Sequence, residues 1–323
     1  MEEFLLSQVA EMYYLRGLKQ ATIARHFGVS KMQVSRLLQK ARDVGIVRID
    51  VRYPGTLPRD ERAAEELSRS FGLRDALVLQ VEAEADNSFS YGAARYVSSL
   101  VQPGTILGVG WGRTVSAVAG ALPERADATV SVVQIVGAFG ASASETPYDA
   151  SKLFAERLGA RLWALHAPAF LESRETRDRL MQEPSVRSTL EVAAKANYAL
   201  VGIGTADQHT STFHHAGYLT SAEIQDLIAN GAVGDVLGHY VDARGKEIEH
   251  RLSRNFVGLS LAGFRQVPTK VAVARGRHKA SAIAGVLRSG AIDVLVTDAA
   301  TAADVLHLGG GRTDRRAAAT AKG

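Results

Sequence analysis

Residues 110–114, Gly-Trp-Gly-Arg-Thr, follow a β-type run and open a helical one. Glycines let backbone amides come close to an anion. A helix N-terminus adds partial positive charge, Arg113 a fork of donors and Thr114 a hydroxyl. The chemistry is capture of a phosphate or another oxygen-rich group. The loop is neither a Walker loop nor a full dinucleotide fingerprint, and glycines after a strand also serve as plain tight turns. Two further loops, Gly137-Ala138-Phe139-Gly140 and Gly202-Ile203-Gly204-Thr205, repeat the style. Three glycine-marked strand ends point to one shared crevice, with Gly110, Gly112, Gly137 and Gly204 on its rim. Asp235 stands among small residues and suits hydroxyl donors; the plainer reading is a turn or cap aspartate. Gly276 and Lys279, three residues apart and near a helix start, are further effector-binding candidates; Lys279 suits a phosphate or ligand oxygen, and the plainer reading is a solvated lysine.

A second set of residues lies near the N-terminus. Ala24, Gly28, Val34 and Leu37 have the spacing needed for two helices to cross at about 90–120° through a short turn. A small residue sits where the helices touch, a glycine in the turn, and apolar residues inside the second helix. Ser30 is its N-cap candidate. The outward residues of that helix are Lys31, Met32, Gln33, Ser35, Arg36, Gln39 and Lys40. Arg and Lys suit guanine edges and phosphates, and Gln suits adenine. A generic three-helix bundle with a polar face is the bland alternative, but glycine, small residue, cap and charge agree on a recognition helix. The candidate DNA contacts are Ser30, Lys31, Met32, Gln33, Ser35, Arg36 and Lys40, with Thr22 from the preceding helix.

These residues require elements to hold them. Leu5, Val9, Met12 and Leu15 form the stripe of a first amphipathic helix, ended by Gly17. Residues 18–27 read as a second helix, 31–43 as a third and 46–51 as a strand. The breaker-rich segment 53–58 marks a boundary. We expect a DNA-binding domain over residues 1–53, a linker over 54–59, a ligand-binding and oligomerisation domain over 60–308, and a flexible tail over 309–323. In the large domain strand patterns at 76–81, 105–109, 130–136, 161–165, 199–203, 270–274 and 294–297 alternate with helical ones. Those lie at 60–71, 88–100, 115–122, 151–158, 172–182, 185–196, 221–230 and 279–289. The alternation predicts an α/β domain with a largely parallel, doubly wound sheet, whose site lies at the carboxyl ends of the strands.

The segment V-S-K-M-Q-V-S-R-L-L-Q-K-A-R-D-V-G-I-V-R-I, residues 29–49, resembles the helix-turn-helix of SorC/DeoR-type sugar-responsive bacterial transcriptional regulators. The resemblance extends over about residues 3–308, through the G-W-G-R-T loop, V-G-I-G at 201–204, G-Y-L-T at 217–220, A-V-G-D at 232–235 and the glycine-then-lysine element at 276–279. It implies an effector domain similar in fold to sugar-phosphate isomerases. It also implies effector contacts from Gly112, Arg113, Thr114, Asp235 and Lys279. One branch of the family carries a lysine after its V-V-Q-h strand, which forms an imine with an aldehyde sugar phosphate. Here that position is Val136, which has no amine, so a deoxyribose-phosphate effector is disfavoured.

Composition narrows the classes. The chain has 323 residues, 46% hydrophobic and 22% charged, the mix of a globular protein of about two domains. Its lack of cysteine excludes thiolate metal sites and a cysteine nucleophile and fits a reducing cytoplasm. No apolar run suits a membrane span, and the acidic N-terminus is unlike a signal peptide. Residues 1–53 hold nine Lys/Arg and five Asp/Glu, the whole net charge of +4; the remainder balances at 29 against 29. A basic module on a neutral body suits an anionic partner. The alternative is an isomerase-like enzyme fused to a DNA-binding module, with His166, His209, His214, His215 and His239 as acid–base candidates. Asp207, His209, His214 and His215 form a metal-site candidate, but they lack a helix-type ligand spacing, and surface or interface histidines are the preferred reading.

The expectation is therefore a cytoplasmic regulator of a carbohydrate or polyol operon, without catalytic residues, metal or cofactor. It binds double-stranded operator DNA as a homodimer or homotetramer and answers to a sugar, sugar phosphate or polyol.

Overall fold

The structure is a computed structural model that describes residues 2–47, 57–81, 87–125, 127–139 and 146–309. The chain divides into two compact units, residues 1–54 and 55–323.

In the first unit the helix Glu2–Ala10 continues as a π-turn, Glu11–Leu15. The wider turn, closed by Arg16 N–H donating to Glu11 O at 3.1 Å, shifts the side-chain phase. Tyr14 therefore packs inward, while Leu15, expected in the inner stripe, is 83% exposed. Helices Gln20–Phe27 and Lys31–Asp43 follow, somewhat shorter than read for the first of them. Gly28 joins them at φ +65°, a left-handed conformation that a side chain would strain. Val9, Ile23, Ala24, Val34 and Leu38 form the core of this unit. The strand expected over 46–51 lies outside the described residues except for its first two, which form a bend. Most of the expected linker and, apart from Gly309, the expected tail also lie outside them.

The second unit is a mixed α/β structure. Its main sheet has seven parallel strands: β1 (Asp75–Leu79), β2 (Ile106–Val109), β3 (Ser131–Gln134), β4 (Arg161–Trp163), β5 (Tyr198–Val201), β10 (Thr269–Val273) and β11 (Val294–Asp298). The spatial order is β1-β11-β10-β5-β2-β3-β4. Side chains alternate between two cores. Leu200, Val271, Val273 and Val296 enter one, while Ala199, Val201, Ala272 and Leu295 enter the other. Burial on both faces explains why these strands read as continuous apolar runs. Helices Ser88–Leu100, Arg113–Ala121 and Pro147–Leu158 cover the first face; Glu61–Phe71, Ala280–Arg288 and Ala299–His307 cover the second.

A smaller antiparallel sheet was not foreseen. It comprises β6 (Gly204–Thr205), β7 (Ala232–Val236), β8 (His239–Asp242) and β9 (Glu247–Ile248), in that order. Asp235 is thus a strand residue, not a turn or cap aspartate. The β7–β8 hairpin turns through Leu237 at φ +54° and Gly238 at φ +76°. Positive φ at both central residues is the hairpin-favouring geometry, but Leu-Gly lacks the usual Asn-Gly signature that advertises it.

Candidate functional site

From β2 the chain proceeds outward through β3 and β4, then returns to place β5 on the other side of β2. This reversal opens a crevice at the carboxyl ends of β2 and β5, the place where open α/β sheets take ligands. A pocket of about 330 Å³ lies there. Its lining brings together Gly112, Arg113 and Thr114 from the segment after β2, Gly204 from the start of β6, Asp235 from β7 and Lys279 from the turn after β10. Gly110, Gly137 and Gly276 lie outside the lining. Gly110 N–H donates to Leu200 O at 2.8 Å, Gly137 N–H to Val257 O at 2.9 Å, and Gly276 N–H to the Thr301 hydroxyl at 2.8 Å. A Cβ on Gly137 would stand 2.6 Å from the Pro168 backbone, so that glycine serves a close chain crossing.

One side of the pocket is cationic. The exposed Arg113 begins the helix Arg113–Ala121, whose N-cap Gly112 contributes no side chain. Lys279 donates to Ile203 O at 2.9 Å, which fixes its ammonium across the crevice. Burial lowers the Lys279 pKa, Arg113 lowers it further, and Asp235 opposes both. Asp235 is 4% exposed. Burial pushes its carboxyl up to about 7, against the pull of the Gly238 N–H, which donates to Oδ2 at 3.0 Å, and of Lys279.

The other side is aromatic and apolar. The Trp111 and Phe139 rings stack with centroids 3.9 Å apart, and Phe213 lies 5.7 Å from Trp111. Phe256, Leu237, Ile203 and Val136 continue this wall. The sequence reading quoted Trp111 and Phe139 only as members of their loops. Phe213 and Phe256 carried no local signal, because they come from short segments far apart in the chain. Ser90, Arg275 and His278 also line the pocket and were not singled out. Val136 does line it, and without a side-chain amine it cannot form an imine.

The five histidines named as acid–base candidates lie outside the lining. His239 Nδ1 is 2.7 Å from Glu247 Oε1, and His214 Nδ1 is 2.9 Å from Leu219 O. Asp207 accepts from the Thr210 hydroxyl, which chiefly holds its pKa down, and from the His209 N–H, which adds to that. Among the described residues no group of His, Asp and Glu is arranged to hold a metal.

In the first unit Lys31, Met32, Gln33, Ser35, Arg36 and Lys40 are exposed along Lys31–Asp43, and Thr22 is half-buried. Ser30 and Gln33 form a reciprocal capping box. Ser30 N–H donates to Gln33 Oε1 at 2.8 Å, and Gln33 N–H donates to Ser30 Oγ at 3.1 Å. The amide oxygen of Gln33 is therefore already used within the helix start.

Residues 58–307 match the family described as "Putative sugar-binding domain". The chain is 34% identical to the transcriptional regulator LsrR of Klebsiella pneumoniae, covering 95% of this chain and 94% of that protein. It is 31% identical to the sorbitol operon regulator of Klebsiella pneumoniae, covering 92% and 96%. The full-length sorbitol operon regulator SorC from Klebsiella pneumoniae is similar in structure, with a TM-score of 0.70 and 29% identity over 94% of this chain and 98% of that one. A DeoR-family regulator from Listeria monocytogenes also gives 0.70, at 27% identity over 76% and 99%. The chain belongs to this sugar-binding-domain family. Within it, the chain is a transcriptional regulator of the SorC/DeoR type.

Proposed function

We propose that the N-terminal unit is a helix-turn-helix that binds operator DNA and that the β2/β5 pocket binds the effector controlling it. The effector is a sugar, sugar phosphate or polyol, and the operon concerned serves carbohydrate or polyol catabolism. The observation that carries the effector reading is the convergence of Arg113, Lys279, a helix N-terminus and Asp235 on one pocket with an aromatic wall. The cations suit a phosphate, the carboxyl suits hydroxyl donors, and rings suit the C–H face of a carbohydrate. The relatives named above are regulators, and one is a sorbitol operon regulator, which supports the same reading.

The helix Lys31–Asp43 enters the major groove in this reading, with Arg36 and Lys40 toward base edges and phosphates. One recognition helix covers a half-site, so a homodimer or homotetramer binds a roughly palindromic operator. Effector and operator are then linked reciprocally through a coupling free energy. Catalysis is not part of the proposal: a DNA-binding unit gives ligand binding a task that an isomerase would not need. Among the described residues no helix is long and apolar enough to cross a membrane.

A thermal-shift panel of sugar phosphates, free sugars and polyols on the full chain tests the effector reading, since a ligand of the native state raises its melting temperature. Gel shifts with upstream DNA of its own operon, with and without each hit, test the coupling. A panel without any stabilising compound counts against the pocket; DNA binding indifferent to every hit counts against the control.

A further inference from the structure

Tyr240 is fully buried, and its hydroxyl has no hydrogen-bond partner among the described residues. A buried polar group left unpaired is uncommon in a folded protein and costs free energy, so its persistence needs a reason. Gly204, Asp235, Tyr240 and Ile248 occupy one row across β6, β7, β8 and β9. Directly paired residues of antiparallel strands project from the same face, with Cβ atoms about 4.5–5.5 Å apart. The Asp235 carboxyl therefore has a glycine without a side chain on one side and the Tyr240 ring on the other. Tyr240 itself is outside the pocket lining.

The polar neighbour of the Tyr240 hydroxyl is Ser211. Burial raises the Tyr240 pKa well above its ordinary value and Asp235 adds to that, while the Ser211 hydroxyl pulls it down. The phenol thus keeps its proton and stays a donor near neutral pH. Ser211 is close enough to exert this pull, yet the two hydroxyls are not in hydrogen-bond geometry. Ser211 is 1% exposed, and its Oγ accepts from the His214 N–H at 3.3 Å as the N-cap of the short helix Thr212–His215. The next two residues, Thr212 and Phe213, line the pocket. Tyr240 therefore stands between the carboxyl that suits effector hydroxyls and the root of the segment that carries Phe213 into the aromatic wall.

We propose that Tyr240 is a positioning residue for effector binding: when the effector rests on Asp235, Thr212 and Phe213, the Tyr240 hydroxyl pairs with Ser211 and holds that wall segment against the ligand. The inference rests on the effector pocket proposed above and adds a residue behind its surface. The free protein bears the cost of a buried, unpaired donor. The bound protein is relieved of it, and a contact made in one state alone contributes to affinity.

Tyr240→Phe keeps the ring beside Asp235 and removes the hydroxyl alone. In the full chain without ligand this variant melts at or above the wild-type temperature, because it loses an unpaired group and no contact. Calorimetry with fructose 6-phosphate and with its reduced form, sorbitol 6-phosphate, shows about three- to tenfold weaker binding than wild type, the worth of a hydrogen bond between neutral groups. Ser211→Ala also removes the cap on His214, so it is read in a double-mutant cycle. The double variant Tyr240→Phe/Ser211→Ala binds no more weakly than Ser211→Ala alone. A hydroxyl with a purely structural role gives the reverse pattern, a lower melting temperature with affinity unchanged. A lowered melting temperature of free Tyr240→Phe, wild-type affinity in that variant, or additive losses in the double variant each overturn the proposal while leaving the pocket in place. No binding of either compound by the wild type overturns the phosphate reading of the pocket and this inference with it.

Discussion

Gly204 and Asp235 face each other across the β6–β7 pair, and a Cβ on Gly204 would stand 2.0 Å from Asp235 Oδ1. The glycine is what lets a buried carboxyl lie flat against the neighbouring strand and point into the pocket. Gly204→Ala forces either the strands apart or the carboxyl off the Gly238 N–H. Overpacking of this kind costs about 1–3 kcal/mol. Urea denaturation should show a loss in that range, and calorimetry a weaker effector affinity. Wild-type values in both would show that Asp235 relocates freely.

Asp235 also makes stability depend on pH. An aspartate in the unfolded chain titrates near 3.9, whereas burial places this one at about 7. Proton retention in the fold favours the native state fully below pH of about 4, and the benefit is lost as pH rises through about 7. Above that the ionised carboxylate destabilises the fold by about 4 kcal/mol at most. Asp235→Asn carries no such charge. Its stability relative to wild type should therefore climb between pH 5 and pH 8. A difference that stays constant over that range would mean that Asp235 is already ionised at pH 5.

In the proposed reading Arg113 separates a phosphorylated effector from a neutral one. Arg113→Ala should weaken a sugar phosphate by about ten- to a hundredfold, the worth of a charge-assisted hydrogen bond. The unphosphorylated parent sugar should lose far less. Titration of both ligands into both proteins decides this. Equal losses would make a free sugar or polyol the better effector.

On the proposed recognition helix Arg36 and Gln33 differ. Arg36 is exposed, and Arg36→Ala should weaken operator binding by about 1–3 kcal/mol at fixed salt, with specificity relaxed at one position. Gln33 closes the capping box with Ser30, so Gln33→Ala should also lower the melting temperature of the N-terminal unit, caps being worth roughly 1 kcal/mol. Operator affinity unchanged in both variants argues against this docking.

Much of the architecture was legible in the sequence because its signals are local. Alternating helical and β-type runs specify the parallel sheet and its covering helices. Gly28 and Ser30 mark a turn and a cap through their own backbone preferences. Of the strand-end glycines only some mark the crevice: Gly112 and Gly204 line it, whereas Gly137 serves a close chain crossing, because a residue without a side chain suits either task. The π-turn at Glu11–Leu15 was not legible, since a one-residue phase shift leaves Leu15 looking like any other member of the stripe. The antiparallel sheet was hidden by an unsigned Leu-Gly hairpin. Strand order was beyond local reading altogether, because it is set by how whole helices pack on either face. That order puts β5 beside β2, and with it Asp235, Lys279 and Arg113 around one pocket. The raised pKa of Asp235 follows from the same packing: desolvation belongs to what surrounds a carboxyl in space, which residues far away in the chain supply.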